Sequence, residues 1–340
     1  MQQPDIFLPH RITFQWHITD RCNYRCAHCY QKDYTDGGRT LPEMIHILDQ
    51  FTEFAQRIPK TSHRHNAHIN FTGGEPFSRP DFLELLAETA ARKCFSFGIL
   101  SNGLLMPAPE LLVLQKLKPS FIQISLEGDR ATNDSIRGAG SYDDITHSMR
   151  VYEKLGIPVV VSFTANAKNY LEFPKVVKIA KELKATKVWT DRYLPMGAGD
   201  LLSLNTPQTR EYFADLHAQT NTLWYKKHSK TVVSSNRALQ FLAAGGQPYR
   251  CSAGETLLAI LPNGDVLPCR RLPIVVGNMF GDNLWDLYQT HVTLLELRKP
   301  DATDEACATC YYKRTCKGGL KCLAFAQTGD FTARDPNCWL

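Results

Sequence analysis

Residues 11–30 read RITFQWHITDRCNYRCAHCY, an apolar segment followed at once by three closely spaced cysteines. The mostly apolar first ten residues predict a strand that ends at the cysteine loop. Cys22, Cys26 and Cys29 lie within eight residues, so their thiolates can converge on one iron–sulfur cube and leave its fourth iron without a protein ligand. A zinc site of these cysteines and His28 is the weaker alternative, because zinc ligands usually come in spaced pairs.

Strands and helices alternate between residues 11 and 227. The predicted strands are 11–20, 68–71, 95–103, 121–128, 158–166 and 187–194, and the predicted helices are 41–54, 81–92, 110–117, 143–155, 172–183 and 207–227. This alternation requires parallel strands with right-handed crossovers, hence an open or closed α/β barrel. Polar, glycine-rich segments follow the strands, and the carboxyl ends of barrel strands are where the chemistry is carried out.

The character of the chain changes near residue 250. Residues 256–269 predict a β-hairpin, 283–297 predict an amphipathic helix, and 301–340 are rich in cysteine with little apolar periodicity. A segment of this kind builds little core of its own, so metal clusters are expected to order it. We therefore predict two domains, a barrel over 1–240 and a small cysteine-rich domain over 241–340.

Cysteine usage favours metal ligation over disulfide bonds. The chain has 11 cysteines and no secretory signal at its start, which is typical of a protein from a reducing compartment. Cys94 is predicted to be a small buried apolar residue. A pair of zinc knuckles is the alternative for the C-terminal group, but seven thiols do not make two four-thiolate sites. That group comprises Cys251, Cys269, Cys307, Cys310, Cys316, Cys322 and Cys338.

Composition excludes several other classes. The 340 residues are 43% hydrophobic and 21% charged, which is typical of a folded globular protein and not of a disordered one. The net charge of +5 is too small and too diffuse to indicate a nucleic-acid partner. No segment approaches the roughly 20 apolar residues of a membrane span. We expect a cytoplasmic protein.

The cysteine loop resembles the CxxxCxxC loop of the radical S-adenosylmethionine (radical SAM) superfamily, with His28 at the position that is usually aromatic. Further segments resemble that family in the same order along the chain. They are Gly73-Gly74-Glu75-Pro76 (GGEP), Ser101-Asn102-Gly103 (SNG), Ile124–Gly128 (S-L-D-G, with Glu127 for Asp), Arg137–Tyr142 (RG-x-GS) and the end of the sixth strand, Arg192–Gly199.

The resemblance implies a partial (β/α)6 barrel and a specific SAM site. A [4Fe–4S] cluster on Cys22, Cys26 and Cys29 would offer its open iron to SAM. The segment Gly73, Gly74 and Glu75 would receive the amino group of SAM, and Ser125 and Arg137 would receive its carboxylate or ribose. Asn102 and His28 are further cofactor-binding candidates, and no catalytic residue is assigned.

The C-terminal cysteines resemble the SPASM extension, which holds two auxiliary iron–sulfur clusters, expected to be [4Fe–4S]. By resemblance, the distal cluster would take Cys307, Cys310, Cys316 and Cys338. The cluster nearer to SAM would take Cys251, Cys269 and Cys322, with its fourth position open or filled by an unidentified ligand. Five residues separate Cys316 from Cys322 where the family has three, which weakens the assignment of Cys322.

The resemblance implies a SAM-cleaving oxidoreductase that uses a 5′-deoxyadenosyl radical to cross-link a ribosomally made peptide through a C–C, C–S or C–O bond. The alternatives are a peptide epimerase, a formylglycine-forming sulfatase maturase and a porphyrin-type oxidase; an iron–sulfur electron carrier is the non-enzyme alternative. Arg270 and Arg271 follow Cys269, where formylglycine-forming relatives have Asp, and this counts against that activity.

The expected partners follow from the same resemblance. The substrate would be a precursor peptide, and a flavodoxin or ferredoxin-type protein would donate electrons. Only 21 residues precede Cys22, which leaves no room for a fused leader-recognition domain. A separate leader-recognition protein is therefore expected, unless the barrel surface itself recognises the leader.

Overall fold

The computed structural model describes residues 6–35, 38–59, 65–196, 202–221 (backbone only at 219–221), 230–234, 237–299, 303 and 305–340. The strands are Ile12–His17 (β1), Ala67–Thr72 (β2), Phe95–Ser101 (β3), Phe121–Ser125 (β4), Val159–Ala165 (β5), Lys187–Arg192 (β6), Val232–Ser234 (β7), Leu257–Ile260 (β8), Asp265–Leu267 (β9) and Gly277–Asn278 (β10).

The helices of the barrel region are Leu41–Arg57 (α1), Phe82–Ala91 (α2), Ala108–Leu117 (α3), Arg130–Arg137 (α4), Ser141–Lys154 (α5), Phe173–Glu182 (α6) and Thr206–Asn221 (α7). Those that follow are Phe241–Ala244 (α8), Leu284–Thr290 (α9), Val292–Arg298 (α10), Lys313–Cys316 (α11) and Lys321–Thr328 (α12). Short 3₁₀ turns lie at Pro76–Ser78, Tyr170–Glu172 and Glu305–Cys307.

One sheet organises the molecule, in the order β10-β9-β8-β1-β2-β3-β4-β5-β6-β7. Strands β1 to β6 are neighbours in sequence order and pair in parallel throughout. Their carboxyl ends therefore meet at one edge, where the loops they lead into lie side by side. The predicted α/β fold with six strand–helix units is confirmed, and β7 extends it by one parallel strand.

The sheet continues into the C-terminal part of the chain. Strand β8 pairs in parallel with β1, with Thr13 opposite Leu257, and β9 pairs antiparallel with β8, so the predicted hairpin is present. Helix α9 packs against α1, where the rings of Trp285 and Phe54 lie 5.0 Å apart. Residues beyond 241 thus share the sheet of the barrel, and the boundary between the two domains stays a prediction.

Aromatic packing fixes helix α1 against the start of the sheet. The ring of Phe14 on β1 stacks on Phe51 at 4.2 Å, and Trp16 meets Phe51 edge-on at 5.1 Å. All three side chains are fully buried, and burial of each is worth several kcal/mol of apolar transfer free energy. This packing holds the loop between β1 and α1, which carries the first three cysteines, on a rigid base.

Two helices differ from the prediction. The single helix expected over 283–297 is two helices, because His291 has an extended backbone (ψ 126°) and caps the second one, its Nδ1 accepting from Thr293 N–H. Helix α4 was not predicted, since its sequence RATNDSIR is polar, yet the Asp129 carboxylate caps it by accepting from Thr132 N–H at 3.1 Å.

Parts of two predictions lie outside the described residues. The helix expected over 207–227 is present as α7, and its remainder, 222–227, is not among the described residues. Positions 197–199 of the segment Arg192–Gly199 also lie outside them. Within the described part of the chain, none of the helices is long and apolar enough to cross a membrane.

Candidate functional site

The loop between β1 and α1 presents three half-buried thiols. Backbone N–H groups point at two of them: Tyr24 N–H donates to Cys22 Sγ at 3.5 Å and Gln31 N–H to Cys29 Sγ at 3.4 Å. Contacts of this kind stabilise thiolates and tune clusters that thiolates ligate. The loop therefore fits an iron–sulfur cluster held by thiolate ligands.

Side chains from two other loops reach the same thiols. The Asn102 amide, after β3, donates to Cys22 Sγ at 3.4 Å, and Arg137 Nη1, at the end of α4, lies 3.8 Å from Cys26 Sγ. Burial raises the pKa of Cys22 and of Cys26, and at Cys26 the charge of Arg137 acts in the opposite direction. The structure thus brings Asn102 and Arg137, two of the predicted cofactor-binding residues, to the cysteine loop.

The glycines after β2 lie against the backbone of the same loop. Gly74 N–H donates to Thr19 C=O at 2.9 Å, and Glu75 N–H donates to Arg21 C=O at 2.7 Å. A Cβ at Gly73, whose φ is +154°, would lie 2.3 Å from Thr19 O, and one at Gly74 would lie 2.2 Å from Arg21 O. Only glycine permits this approach, so the GGEP turn and the cysteine loop form one unit.

The Glu75 side chain is engaged by the chain's own donors. Its fully buried carboxylate accepts from Ser101 Oγ at 3.0 Å, from Asn102 N–H at 2.7 Å and from Phe77 N–H at 3.1 Å. Burial raises its pKa to about 7, against the effect of these three donors. The carboxylate therefore ties the turn after β2 to the turn after β3, and its contact with SAM stays a prediction.

A buried charge group lies beside the cysteine loop. The Glu127 carboxylate, just beyond β4, accepts from Arg137 Nη2 at 2.7 Å, lies 3.2 Å from His28 Nε2, and accepts from Thr164 N–H at 3.0 Å. Burial alone would raise the pKa of Glu127, but the His28 and Arg137 charges outweigh it and lower that pKa to about 2. His28 Nδ1 is buried and has no hydrogen-bond partner within the part of the chain that the structure describes.

Ser125, at the end of β4, accepts from Ser162 Oγ at 3.1 Å. It lies at the carboxyl edge of the sheet, and no hydrogen bond between described residues joins it to the three cysteines. Its predicted contact with SAM therefore stays a prediction.

The C-terminal cysteines form two groups in space. Cys307, Cys310, Cys316 and Cys338 line one cavity, which we call the distal group. The near group is Cys251, Cys269 and Cys322. Burial, and then the negative charge of the neighbouring thiols, raises the pKa of Cys269 to about 11 and that of Cys322 to about 12, Cys251 acting on both. The two groups contain the cysteines of the two ligand sets that the resemblance implied, and their binding of clusters stays a prediction.

Two arginine contacts connect these groups to the barrel. Arg271 Nη1 pairs with Asp191 on β6 at 2.5 Å, and its Nη2 donates to Arg192 C=O at 2.9 Å. Arg192 forms a buried bidentate pair with Asp335, at 2.9 and 2.6 Å. The near and distal groups are therefore anchored to the end of β6.

A parallel α/β sheet with a three-thiol loop at its carboxyl edge, followed by two further thiol groups, defines a protein of iron–sulfur redox chemistry. The Radical SAM superfamily model matches residues 16–186, and the SPASM iron–sulfur cluster-binding domain model matches 251–311. The chain belongs to the radical SAM superfamily and carries a SPASM domain.

The chain is similar in sequence to characterised proteins and similar in fold to a solved structure. The chain is 26% identical to an AdoMet-dependent heme synthase of Methanosarcina barkeri, covering 95% of each chain. It is 24% identical to a PqqA peptide cyclase of Granulibacter bethesdensis, covering 95% of this chain and 86% of that one. Its fold is similar to SuiB of Streptococcus suis, solved with precursor peptide SuiA, with a TM-score of 0.78 at 17% identity, covering 98% of this chain and 77% of that one.

The predicted enzyme class and cofactors are confirmed at the level of the two domains. The protein is a radical SAM enzyme that uses SAM and iron–sulfur clusters, including those of its SPASM domain. We therefore set aside the alternative that the protein is an iron–sulfur electron carrier without enzymatic activity. Which cysteine and which polar group holds each cofactor stays a prediction.

Three residues near these thiols were not among the predicted site residues. Glu127 was noted only as a departure from Asp, although its place just after β4 marked it as a candidate. Tyr30 follows Cys29, and Arg270 follows Cys269. Their contact brings together two residues that are distant in the sequence, so spacing along the chain does not predict it. Adjacency to a predicted cluster ligand was the one signal available for both.

Proposed function

We propose that this enzyme oxidatively cross-links a ribosomally made peptide after a 5′-deoxyadenosyl radical removes a hydrogen atom from it. The observation that carries the proposal is the pair of thiol groups anchored at the end of β6, beyond the cysteine loop. Clusters at these positions would accept the electron that a substrate radical releases, which a redox-neutral reaction does not require. The similarity to a PqqA peptide cyclase supports a peptide as substrate.

The cluster and SAM, when bound, supply the radical. The chain's residues bind and orient: the glycine turn lies against the cysteine loop, and Glu127 holds Arg137 beside Cys26. Arg137, with its remaining guanidinium N–H groups, is placed to donate to a carboxylate or ribose oxygen of SAM. The buried carboxylates of Glu75 and Glu127 fix these groups before SAM arrives, so little reorganisation is needed on binding.

Oxidation of a porphyrin-type small molecule is the second candidate. The heme synthase relative covers 95% of both chains, and the described residues leave Arg270, beside the near thiol group, without an acidic partner. A guanidinium at this point suits a substrate that bears carboxylates. We retain the peptide as the first candidate, and the two are separated by direct assay.

The proposal includes partners that would act in turn with this chain. A separate leader-recognition protein would deliver the precursor peptide, and a flavodoxin or ferredoxin-type protein would reduce the first cluster. Both are tested by adding each protein to the assay below and measuring the rate of product formation.

The test uses the anaerobically reconstituted enzyme with SAM and dithionite. Short peptides encoded beside the gene, and separately iron-coproporphyrin III, are incubated with it in heavy water and analysed by mass spectrometry. We expect a peptide that loses two hydrogen atoms, takes up no deuterium and resists fragmentation between two linked residues. An unchanged mass apart from deuterium at one Cα would indicate an epimerase, and oxidation of the porphyrin alone would establish the second candidate.

A further inference from the structure

Arg270 connects the near thiol group to the cysteine loop. It follows Cys269, and its guanidinium carbon lies 4.4 Å from the centre of the Tyr30 ring. Tyr30 follows Cys29. Burial raises the pKa of Tyr30, the charge of Arg270 lowers it, and charges at Cys29 and Cys269 raise it, so the ring lies near both of these thiols. The contact between Arg270 and Tyr30 therefore joins the cysteine loop to the near thiol group.

The charge of Arg270 has no counter-ion among the described residues. Its Nε is buried and has no hydrogen-bond partner in the described ranges of the chain, and its guanidinium lies over the face of the Tyr30 ring. Its neighbour Arg271 is different, because that guanidinium pairs with Asp191 at 2.5 Å. A buried guanidinium N–H without a partner costs free energy, and a ligand acceptor would recover it.

A second buried polar group without a hydrogen-bond partner among the described residues lies beside Tyr30. His17, the last residue of β1, is 3% exposed, and its Nε2 has no hydrogen-bond partner among the described residues. Its ring lies 6.5 Å from the ring of Tyr30. Burial, and then the charge of Arg270, lowers the pKa of His17 well below its usual value, so the imidazole is neutral and can donate from Nε2.

We propose that Arg270 and His17, with Tyr30 as the platform between them, bind a carboxylate of the substrate. The inference rests on the proposed function and specifies its substrate class. A guanidinium fork matches a carboxylate in two parallel hydrogen bonds, and a neutral imidazole adds a third donor. The carboxylate belongs to a peptide Glu or Asp side chain, or to a propionate of a tetrapyrrole, and these share the same recognition chemistry.

The subsite would hold the substrate between the two redox positions. A group bound on Arg270 lies next to the ligand Cys269 on one side and next to the loop of Cys29 on the other. The same placement brings the substrate radical close to its electron acceptor. Arg270 is thus a specificity residue that touches substrate, while Arg271, engaged with Asp191, positions the hairpin end.

The test measures equilibrium binding to the anaerobically reconstituted, SAM-loaded enzyme. The probes are iron-coproporphyrin III, its tetramethyl ester, a decapeptide pool with a fixed central Glu, and the matched pool with Gln. The variants are Arg270→Gln and Arg270→Lys, and the control is Arg150→Gln, which removes an exposed arginine from helix α5. Iron content and the visible spectrum establish that each variant holds its clusters.

We expect one carboxylate probe to bind at least about tenfold more tightly than its uncharged twin. Arg270→Gln removes that preference, Arg270→Lys restores part of it, and Arg150→Gln leaves it unchanged. The pair that shows the preference identifies the source, porphyrin or peptide. SAM affinity stays the same in all variants, because the bound carboxylate belongs to the substrate.

Three results would overturn the subsite. They are equal binding of both twins in each pair, a preference that survives in Arg270→Gln, and a loss of SAM affinity in that variant, which would assign the guanidinium to the SAM carboxylate. The proposed function fails in a different way, through absence of 5′-deoxyadenosine or of product in the wild-type enzyme. Oxidised product formed equally well by Arg270→Gln would leave the proposed function intact and remove the subsite.

Discussion

At the scale of single residues, two buried carboxylates organise the site in different ways. Burial raises the pKa of Glu75, which is surrounded by neutral donors, to about 7, whereas at Glu127 the interactions with His28 and Arg137 outweigh burial and lower the pKa to about 2. Both are fully buried, so the difference comes from the partners. Glu127 is the ionised member, and it holds Arg137 and His28 toward the cysteine loop.

Replacing Glu127 by Gln should therefore damage both stability and SAM binding. The change leaves the Arg137 guanidinium buried without a counter-ion, which costs about 3–5 kcal/mol in the free energy of unfolding. We expect a lower denaturation midpoint and at least about tenfold weaker SAM binding, measured anaerobically by equilibrium dialysis.

The control for that change is Glu153→Gln. Glu153 pairs with Lys184 at 2.8 Å on the surface, where such a pair is worth at most about 1 kcal/mol. If Glu127→Gln matched this control in both midpoint and SAM affinity, Glu127 would not position the SAM-binding side chains.

His68 makes the stability of the fold depend on pH. Its ring accepts from Ser96 Oγ at Nδ1 (2.8 Å) and donates from Nε2 to Asn70 Oδ1 (3.0 Å), and burial lowers its pKa to about 4. The unfolded chain takes up a proton near pH 6.5, whereas the folded protein does so only near 4. Stability therefore falls as the pH drops through this interval and is unaffected by His68 above it.

His68→Gln tests this dependence. Thermal unfolding midpoints are measured anaerobically between pH 4.5 and 7.5 for both proteins. The wild type should lose more stability than the variant below pH 6.5, because the variant has no imidazole to protonate. Parallel curves over the whole interval would show that His68 does not contribute. Acid effects on the clusters are common to both proteins and cancel in the difference.

At the scale of elements, the turn after β2 lies directly against the backbone of the cysteine loop. Gly74→Ala places a methyl group 2.2 Å from Arg21 O, so the turn must move away from the loop. We expect at least about tenfold loss of SAM affinity, since displacement also breaks the backbone hydrogen bonds to Thr19 and Arg21. The same substitution at Gly281, where a Cβ meets nothing within 4 Å, should leave SAM binding unchanged.

The measurement is SAM binding together with iron content. Loss of SAM affinity at unchanged iron content would locate the effect in the turn. Equal SAM affinity in the Gly74 and Gly281 variants would show that the turn is not part of the SAM site.

The sequence alone predicts a strand or helix well when the residues that stabilise it lie within the element itself. Strand Val159–Ala165 is almost wholly buried, so its run of β-branched residues predicts it directly. Helix α4 escaped prediction because its stability comes from the Asp129 cap and its tertiary position and not from an apolar stripe. The break at His291 was missed because the apolar spacing continues across it.

Prediction of the candidate site from the sequence is limited in the same way. A loop of three cysteines is local, so its chemistry can be read from spacing. The orientation of Glu75 into the turns was not predicted, since it depends on donors from two other loops. The stacking of Arg270 on Tyr30 joins two distant segments, and only the tertiary structure brings it out.

At the scale of the whole molecule, the SPASM domain is continuous with the sheet of the barrel. Its hairpin extends the barrel sheet through β8, and the buried pair of Arg192 and Asp335 joins the end of β6 to the segment that leads to Cys338. The sheet and this ion pair therefore connect the cysteine loop to the two C-terminal thiol groups.

Cys310→Ala should separate SAM cleavage from product formation. Cys310 lines the distal cavity with three other thiols, far along the chain from the cysteine loop. The variant should still release some 5′-deoxyadenosine with dithionite but form no oxidised product, because the distal cluster would be lost. Cys94→Ala is the matched control and should retain both activities and full iron content. Full product yield from Cys310→Ala would exclude a redox role for the distal group.

The central claim is that the loop of Cys22, Cys26 and Cys29 holds the cluster that cleaves SAM. The most direct measurement is the amount of 5′-deoxyadenosine formed from SAM by the anaerobically reconstituted protein under dithionite, compared with that formed by Cys26→Ala. We expect steady formation by the wild type and none by the variant, whose auxiliary clusters remain. Formation by Cys26→Ala at the wild-type rate, or none by a wild-type protein fully loaded with iron, would contradict the claim.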